Sequence, residues 1–171
     1  ISTGDIFRAN MTEGTTLGLE AKRYMDAGEY VPDAVTNLMV RNRIDEPDAT
    51  PGFLLDGYPR TLAQVTELDG MIEFTGHRLD AVVVLTVDSE ELVQRLLQRA
   101  QTDGRADDTE DVIRRRQEVY AEQTEPLIGV YRDRHASRLF PGQQHAGGPE
   151  LIVGNAPAVL VGIPHRHGLQ R

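Results

Sequence analysis

An α/β fold built on a parallel sheet is what this sequence predicts, and three observations predict it. Phe53-Leu54-Leu55 is a short apolar run that ends in Asp56-Gly57-Tyr58-Pro59-Arg60. A buried parallel strand delivers charged groups in this way to the carboxyl edge of a sheet, where α/β proteins bind ligands. Ala81–Val87 is apolar except at Thr86 and is bounded by Asp80 and Asp88. A run apolar on both faces suits a strand covered from both sides. Segments of helical periodicity alternate with these runs, and such alternation implies a parallel sheet flanked by helices.

The elements follow in order. Ile1–Thr3 is β-prone, and Asp5–Glu13 reads as a helix stopped by Gly14. Leu17–Ala27 is a second helix with Gly28 as its C-cap. Val31-Pro32-Asp33 opens a third, because proline suits a first helical turn. Val35, Leu38 and Met39 form its expected inner stripe, and it ends near Asp45, before Pro47. Leu62–Phe74 is helical, with Val65, Leu68 and Ile72 on one face. Ser89 is expected to cap a helix that turns Leu92, Val93, Leu96 and Leu97 inward. Thr109 caps another that runs through Val112, Ile113 and Tyr120, and Pro126 interrupts its continuation toward Asp133. A composition break falls near His135. From His135 onward lie four of the five histidines and one acid, Glu150, with Leu151–Val153 and Val159–Ile163 as short β-prone runs.

The 171 residues suffice for one domain with a sizeable core. The absence of cysteine excludes disulfides, thiolate zinc sites and a cysteine nucleophile, and agrees with a cytoplasmic location. A net charge of -9 gives no global attraction for nucleic acid or anionic lipid, so neither is an expected partner. No apolar run approaches the ~20 residues of a membrane span. An anionic substrate must therefore be held by a local cluster of basic side chains.

Arg8, Arg60, Arg99, Arg105 and Arg116 each fall at or near the end of an expected element. Arginine presents a planar fork of donors that fits phosphate oxygens bidentately. Gly57 lets the chain reverse and Pro59 stiffens the turn, so Arg60 is directed into the crevice at the strand end. Arg114 and Arg115 read as ordinary surface residues in solvated pairs. Asp56, at the same edge, either holds water on a magnesium ion carried by nucleotide phosphates or serves as a cap or arginine partner. Thr3-Gly4-Asp5 precedes a helix, whose N-terminus favours anions, although Asp5 as a plain N-cap reads equally well. Asp107-Asp108 either orient Arg105 or favour the N-terminus of the helix after Thr109. His165 and His167 lack an evident third ligand, so no direct metal ligand is expected.

Four segments in order resemble adenylate kinases, within the nucleoside monophosphate kinases: Ile1–Arg8, Tyr24–Pro32, Gly52–Gln64, and Gly104–Asp108 with Asp111–Tyr120. The resemblance is to bacterial forms with a short lid, since Arg99 to Arg105 is brief and holds no zinc ligand. It implies a P-loop kinase-like parallel sheet and a reversible, magnesium-assisted transfer in which ATP and AMP give two ADP, in a cytoplasmic monomer. By resemblance Thr3 contacts the adenosine of AMP, and Arg8 and Arg60 take its phosphate. Glu29, Tyr30 and Val31 with Gly57, Tyr58 and Pro59 line the monophosphate pocket, and Gln64 reaches the adenine. Arg99 corresponds to the lid arginine over ATP. Arg105 and Arg116 correspond to the pair that bridges the reacting phosphates. Residues 2–31 correspond to the AMP-binding flap and 99–108 to the lid.

Two departures stand beside the resemblance. The family's phosphate loop, G-x-x-x-x-G-K-[ST], does not occur in these 171 residues, and the family's central first strand would precede it. The expectation is an incomplete kinase domain over 1–134, inactive alone, with a gap between the strands at Phe53 and Ala81. Residues 135–171 match none of the family's ending and read as an atypical tail, frame-shifted or disordered. The alternatives are a UMP or CMP kinase, disfavoured by Thr3 and Gln64, and a non-catalytic AMP-binding module, disfavoured by the arginines at 99, 105 and 116.

Overall fold

The computed structural model describes residues 1–86, 88–103, 109–134, 137–141 and 159–164. The chain opens with two packed helices, α1 (Thr3–Glu13) and α2 (Thr16–Asp26). Ser2, rather than Asp5, is the N-cap of α1, its hydroxyl accepting from the Asp5 amide at 3.4 Å. Asp5 lies one turn inside, where its charge still suits the helix N-terminus. α1 stops at Gly14 in the left-handed conformation. Thr15 caps α2 by accepting from the Gly18 amide at 3.0 Å. α1 and α2 approach so closely that a Cβ on Gly18 would stand 2.2 Å from the Asn10 carbonyl oxygen.

Helix α3 spans Asp33–Ile44, preceded by Pro32, and a short 3-10 turn at Pro47–Ala49 leads into strand β1 (Gly52–Asp56). The buried stripe of α3 is Thr36, Met39, Val40 and Ile44. Leu38 is 59% exposed, which corrects the expected stripe. It lies two residues from both Thr36 and Val40, so helical geometry turns it to the opposite side. Helix α4 (Leu62–Thr75) buries Val65, Leu68, Met71 and Ile72 as its period predicts. Strand β2 spans Ala81–Thr86; the expected end at Val87 lies outside the described residues.

Helix α5 (Ser89–Asp103) turns Leu92, Val93 and Leu96 inward against Ile113 of α6 (Glu110–Gln123), forming a small core apart from the main one. The cap of α5 is Asp88, not Ser89. The Asp88 carboxylate accepts from the amides of Glu90 at 2.9 Å and Glu91 at 3.2 Å. Thr109 occupies the N-cap position of α6 but makes no side-chain cap bond. Pro126 separates α6 from α7 (Leu127–Asp133), which sends Leu127 and Tyr131 into the main core beside Leu55, Tyr58, Leu68, Met71, Val82 and Val84.

Two further strands complete the sheet, β3 (Ser137–Pro141) and β4 (Val159–Pro164), in the order β1-β4-β2-β3. β3 runs parallel to β2, pairing Val84 with Leu139. It lies in a stretch where the sequence pattern predicts only loop. β4 runs antiparallel to both neighbours, pairing Leu55 with Val161 and Val82 with Val161 on its two edges. β1 and β2 are therefore parallel to one another with one strand between them. The fold is α/β as expected, but the sheet is mixed rather than purely parallel. The expected gap between Phe53 and Ala81 is filled by backbone from β4, which pairs the N–H and C=O groups of both inner edges. Ile1 and Ser2 run along the other edge of β1, where the Asp56 amide donates to the Ile1 carbonyl at 2.8 Å and Ser2 bridges Asp56. Leu151–Val153 lies outside the described residues.

Candidate functional site

The end of β1 builds the site. After Asp56 the backbone turns at Gly57 with φ 76°. Any side chain there would be strained, and its Cβ would stand 2.9 Å from the Thr3 hydroxyl and 3.0 Å from the Arg60 guanidinium. The following Tyr58–Pro59 peptide is cis. The Thr3 hydroxyl donates to the Gly57 carbonyl at 3.1 Å, which fastens the start of α1 to this turn. Arg60 Nε donates to the same carbonyl at 3.0 Å, and the Arg60 amide donates to Gln64 Oε1 at 2.7 Å. The guanidinium lies over the Tyr30 ring, 5.0 Å from its centroid, at cation–π distance.

These residues open onto a cleft of about 560 Å³, its mouth included. The α1 side supplies Thr3, Gly4, Phe7 and Arg8; the segment after α2 supplies Glu29, Tyr30 and Val31, with Met25 behind them. The β1–α4 turn supplies Gly57, Arg60 and Gln64, while Thr36 and Arg116 enter from α3 and α6. Three guanidinium groups thus meet one carboxylate in a single cleft. Glu29 is already paired with Arg115 at 2.7 Å, and Arg8 forms an ion pair with Asp5. Arg116 is buried and donates to the Met25 carbonyl at 3.1 Å, an unusual place for a charged side chain.

Sequence-expected site residues divide three ways. Thr3, Arg8, Glu29, Tyr30, Val31, Gly57, Arg60, Gln64 and Arg116 line the cleft together. Tyr58, Pro59, Asp56 and Arg99 do not line it. Tyr58 is core: its hydroxyl donates to Asn37 Oδ1 at 2.9 Å, and burial pushes its proton affinity well above the ordinary tyrosine value. Arg99 is buried on α5. Arg105 and Asp107-Asp108 lie outside the described residues. Gln64 is held at both ends, since its Nε2 donates to Asp33 Oδ1 at 2.6 Å while its Oε1 accepts from Arg60. Asp33 also accepts from the Thr61 hydroxyl at 2.8 Å, so the first turn of α3 clamps the first turn of α4.

Gly4, from the Thr3-Gly4-Asp5 helix start, also lines the cleft, as do Phe7, Met25 and Thr36, which the sequence does not single out. Phe7 follows Thr3 by one helical turn, a signal that was present in the pattern. Arg115 reads as a surface residue in sequence, yet it holds the cleft's Glu29. Asp56 has its carboxyl raised by burial, with the Asp5 charge adding and Arg60 and a Ser2 hydrogen bond opposing. Among the described residues no three acids or histidines converge.

Residues 1–136 match the family described as Adenylate kinase. The adenylate kinase of a Nocardioides species is 81% identical over 134 residues, 78% of this chain and 70% of that one. That of Kocuria rhizophila is 64% identical over 134 residues, covering 78% of this chain and 71% of its own. That of Renibacterium salmoninarum is 61% identical over 132 residues, covering 77% and 68%. With its α/β sheet and a cleft gathered at the end of β1, the chain belongs to the adenylate kinase family of phosphotransferases.

Proposed function

We propose that the cleft binds AMP, the phosphoryl acceptor in the family's reversible transfer between ATP and AMP that gives two ADP. The convergence of Arg8, Arg60 and Arg116 on one cleft carries the reading, in a chain whose net charge is -9. Such a local positive field against an acidic background selects a compact anion. Thr3, Phe7, Met25, Val31 and Gln64 make the remainder of the lining apolar or hydrogen-bonding, which suits a base and sugar attached to that anion.

The attacking group in this transfer is a phosphate oxygen that is already anionic, so no general base is required. The chain's part is alignment and neutralisation of charge. Arg60, with its backbone and Nε both tied, would hold the monophosphate in a fixed direction. Arg8 would add a second fork, and Arg116 would sit where charge builds on the transferred group. Arg99 and Arg105 are assigned to the ATP side and the reacting phosphates. Tyr58 and Pro59 contribute through the turn they shape. Magnesium, carried on the ATP phosphates, supplies further neutralisation, and Asp56 would hold water on it. The flap at 2–31, the lid at 99–108, a monomeric state and a cytoplasmic location belong to the same reading.

The test is a calorimetric titration of the 171-residue chain with AMP, GMP, UMP and CMP. AMP is expected to bind best, and Arg60→Ala to weaken it by roughly 10- to 100-fold, the loss of a charged hydrogen-bond pair. Tighter binding of UMP or CMP would overturn the adenine assignment. Equal AMP affinity in Arg60→Ala would remove Arg60 from the site. Turnover from ATP and AMP by these 171 residues is expected at background, because G-x-x-x-x-G-K-[ST] does not occur in them.

A further inference from the structure

Thr124, the residue that ends α6, is 2% exposed and touches two parts of the cleft at once. Its Oγ1 donates to the Arg60 carbonyl at 2.9 Å and lies 2.8 Å from the Tyr30 hydroxyl. A threonine hydroxyl carries one proton, and a carbonyl oxygen can only accept. The Thr124 proton is therefore committed to Arg60, and Tyr30 must be the donor in the second bond. Tyr30 in turn carries the Arg60 guanidinium over its ring at 5.0 Å. One buried hydroxyl thus fixes Arg60 twice, through its backbone and through the aromatic face on which its charge rests. Thr124 does not itself line the cleft.

We propose that Thr124 is a positioning residue for Arg60, setting the direction in which its guanidinium meets a nucleotide phosphate. The proposal rests on the AMP reading of the cleft. It also joins segments far apart in the chain, since 94 residues separate Tyr30 from Thr124 and 64 separate Arg60 from it. The end of α6 therefore ties the segment after α2 to the turn after β1.

The experiment compares the wild-type chain with Thr124→Val and Thr124→Ser, measuring AMP and adenosine affinity in each. Adenosine lacks the phosphate, so the ratio of the two affinities reports on Arg60 and not on general folding. Thr124→Val is expected to lower that ratio about tenfold, the loss of one buried hydrogen-bond pair, and Thr124→Ser to restore it. Equal weakening of AMP and adenosine, or an unchanged ratio in Thr124→Val, overturns the proposal. The Arg60 Nε–H signal in a nitrogen–proton NMR spectrum is the second readout, taken without ligand. It should move in Thr124→Val and stay in Thr124→Ser; an unmoved signal in Thr124→Val overturns the proposal. A wild-type chain that binds no AMP would sink the reading of the cleft, while the NMR signal would still decide the role of Thr124. Should Thr124→Val fail to fold, Tyr30→Phe keeps the ring and removes only the bond between the two hydroxyls, leaving that from Thr124 to the Arg60 carbonyl. A smaller fall in the ratio and a shift in the signal are then expected, and the absence of both overturns the proposal.

Discussion

Tyr131 and Gly57 mark the two ways in which single residues are committed here. The Tyr131 ring is buried in the main core while its hydroxyl has no hydrogen-bond partner among the described residues. An unsatisfied buried hydroxyl costs stability, whereas the ring packs well, with the Arg134 guanidinium 5.8 Å from its centroid. Tyr131→Phe is therefore expected to stabilise the fold by about 1 kcal/mol, read as a raised denaturation midpoint. A lowered midpoint would show that the hydroxyl is solvated or bonded. Gly57 is committed by geometry instead, its positive φ and the nearby Thr3 and Arg60 leaving no room for a side chain. At this scale Arg60 was legible, because Asp-Gly-Tyr-Pro-Arg is a local turn signal. The double engagement of Gln64 and the role of Arg115 were not, since Asp33 and Glu29 are brought to them by other elements.

Among the elements, the α1–α2 pair and the start of α5 carry distinct predictions. Gly18 lies against the backbone of Asn10, and backbone cannot yield as a flexible side chain does. Gly18→Ala should force α1 and α2 apart at a cost of about 1–3 kcal/mol, measured by chemical denaturation. An unaffected midpoint would mean that the two helices separate freely. At α5, Asp88→Ala should cost about 1 kcal/mol and Ser89→Ala much less, because Asp88 makes the cap bonds to the Glu90 and Glu91 amides. The reverse order would return the cap to Ser89. The sequence pattern located this helix start to within a residue. It could not choose between two adjacent capping residues, for either suits the position and only the backbone angle decides. Leu38 shows the same limit: the apolar content of α3 is plain, but its phase is set by Met39, Val40 and Ile44 meeting the core.

Across the whole molecule, burial of three tyrosines links stability to alkaline pH. Burial raises Tyr58 and Tyr131 well above the ordinary tyrosine value and pushes Tyr120 up to about 12 from 10.0. A raised folded-state value means that the folded chain keeps its protons longer than the unfolded one. That contribution is present in full below pH 10 and is lost as pH rises toward about 12, where Tyr120 ionises in the folded state. Stability should therefore fall steadily above pH 10, and these phenolates should appear together with unfolding in a spectrophotometric titration. Their appearance while the fold stays intact would show that the rings are more open than the structure has them. The small core of Leu92, Val93, Leu96 and Ile113 stands apart from the main core, so α5 and its contact with α6 depend on few buried side chains.

By itself the sequence determined the α/β class, the helix-forming segments, strands β1 and β2, and the turn that ends in Arg60. Each of these is written in residues that are neighbours in the chain, through apolar period, glycine and proline placement, and capping side chains. Only the tertiary structure decided that β4 stands antiparallel between β1 and β2, and that Arg8, Arg60 and Arg116 share one cleft. It alone also placed the Thr124 hydroxyl between Tyr30 and the Arg60 carbonyl. Such features depend on pairing backbone edges and burying polar groups across tens of residues. No local pattern records which distant partner will meet a given donor, because that is settled by how the packed elements leave their unpaired groups to face one another.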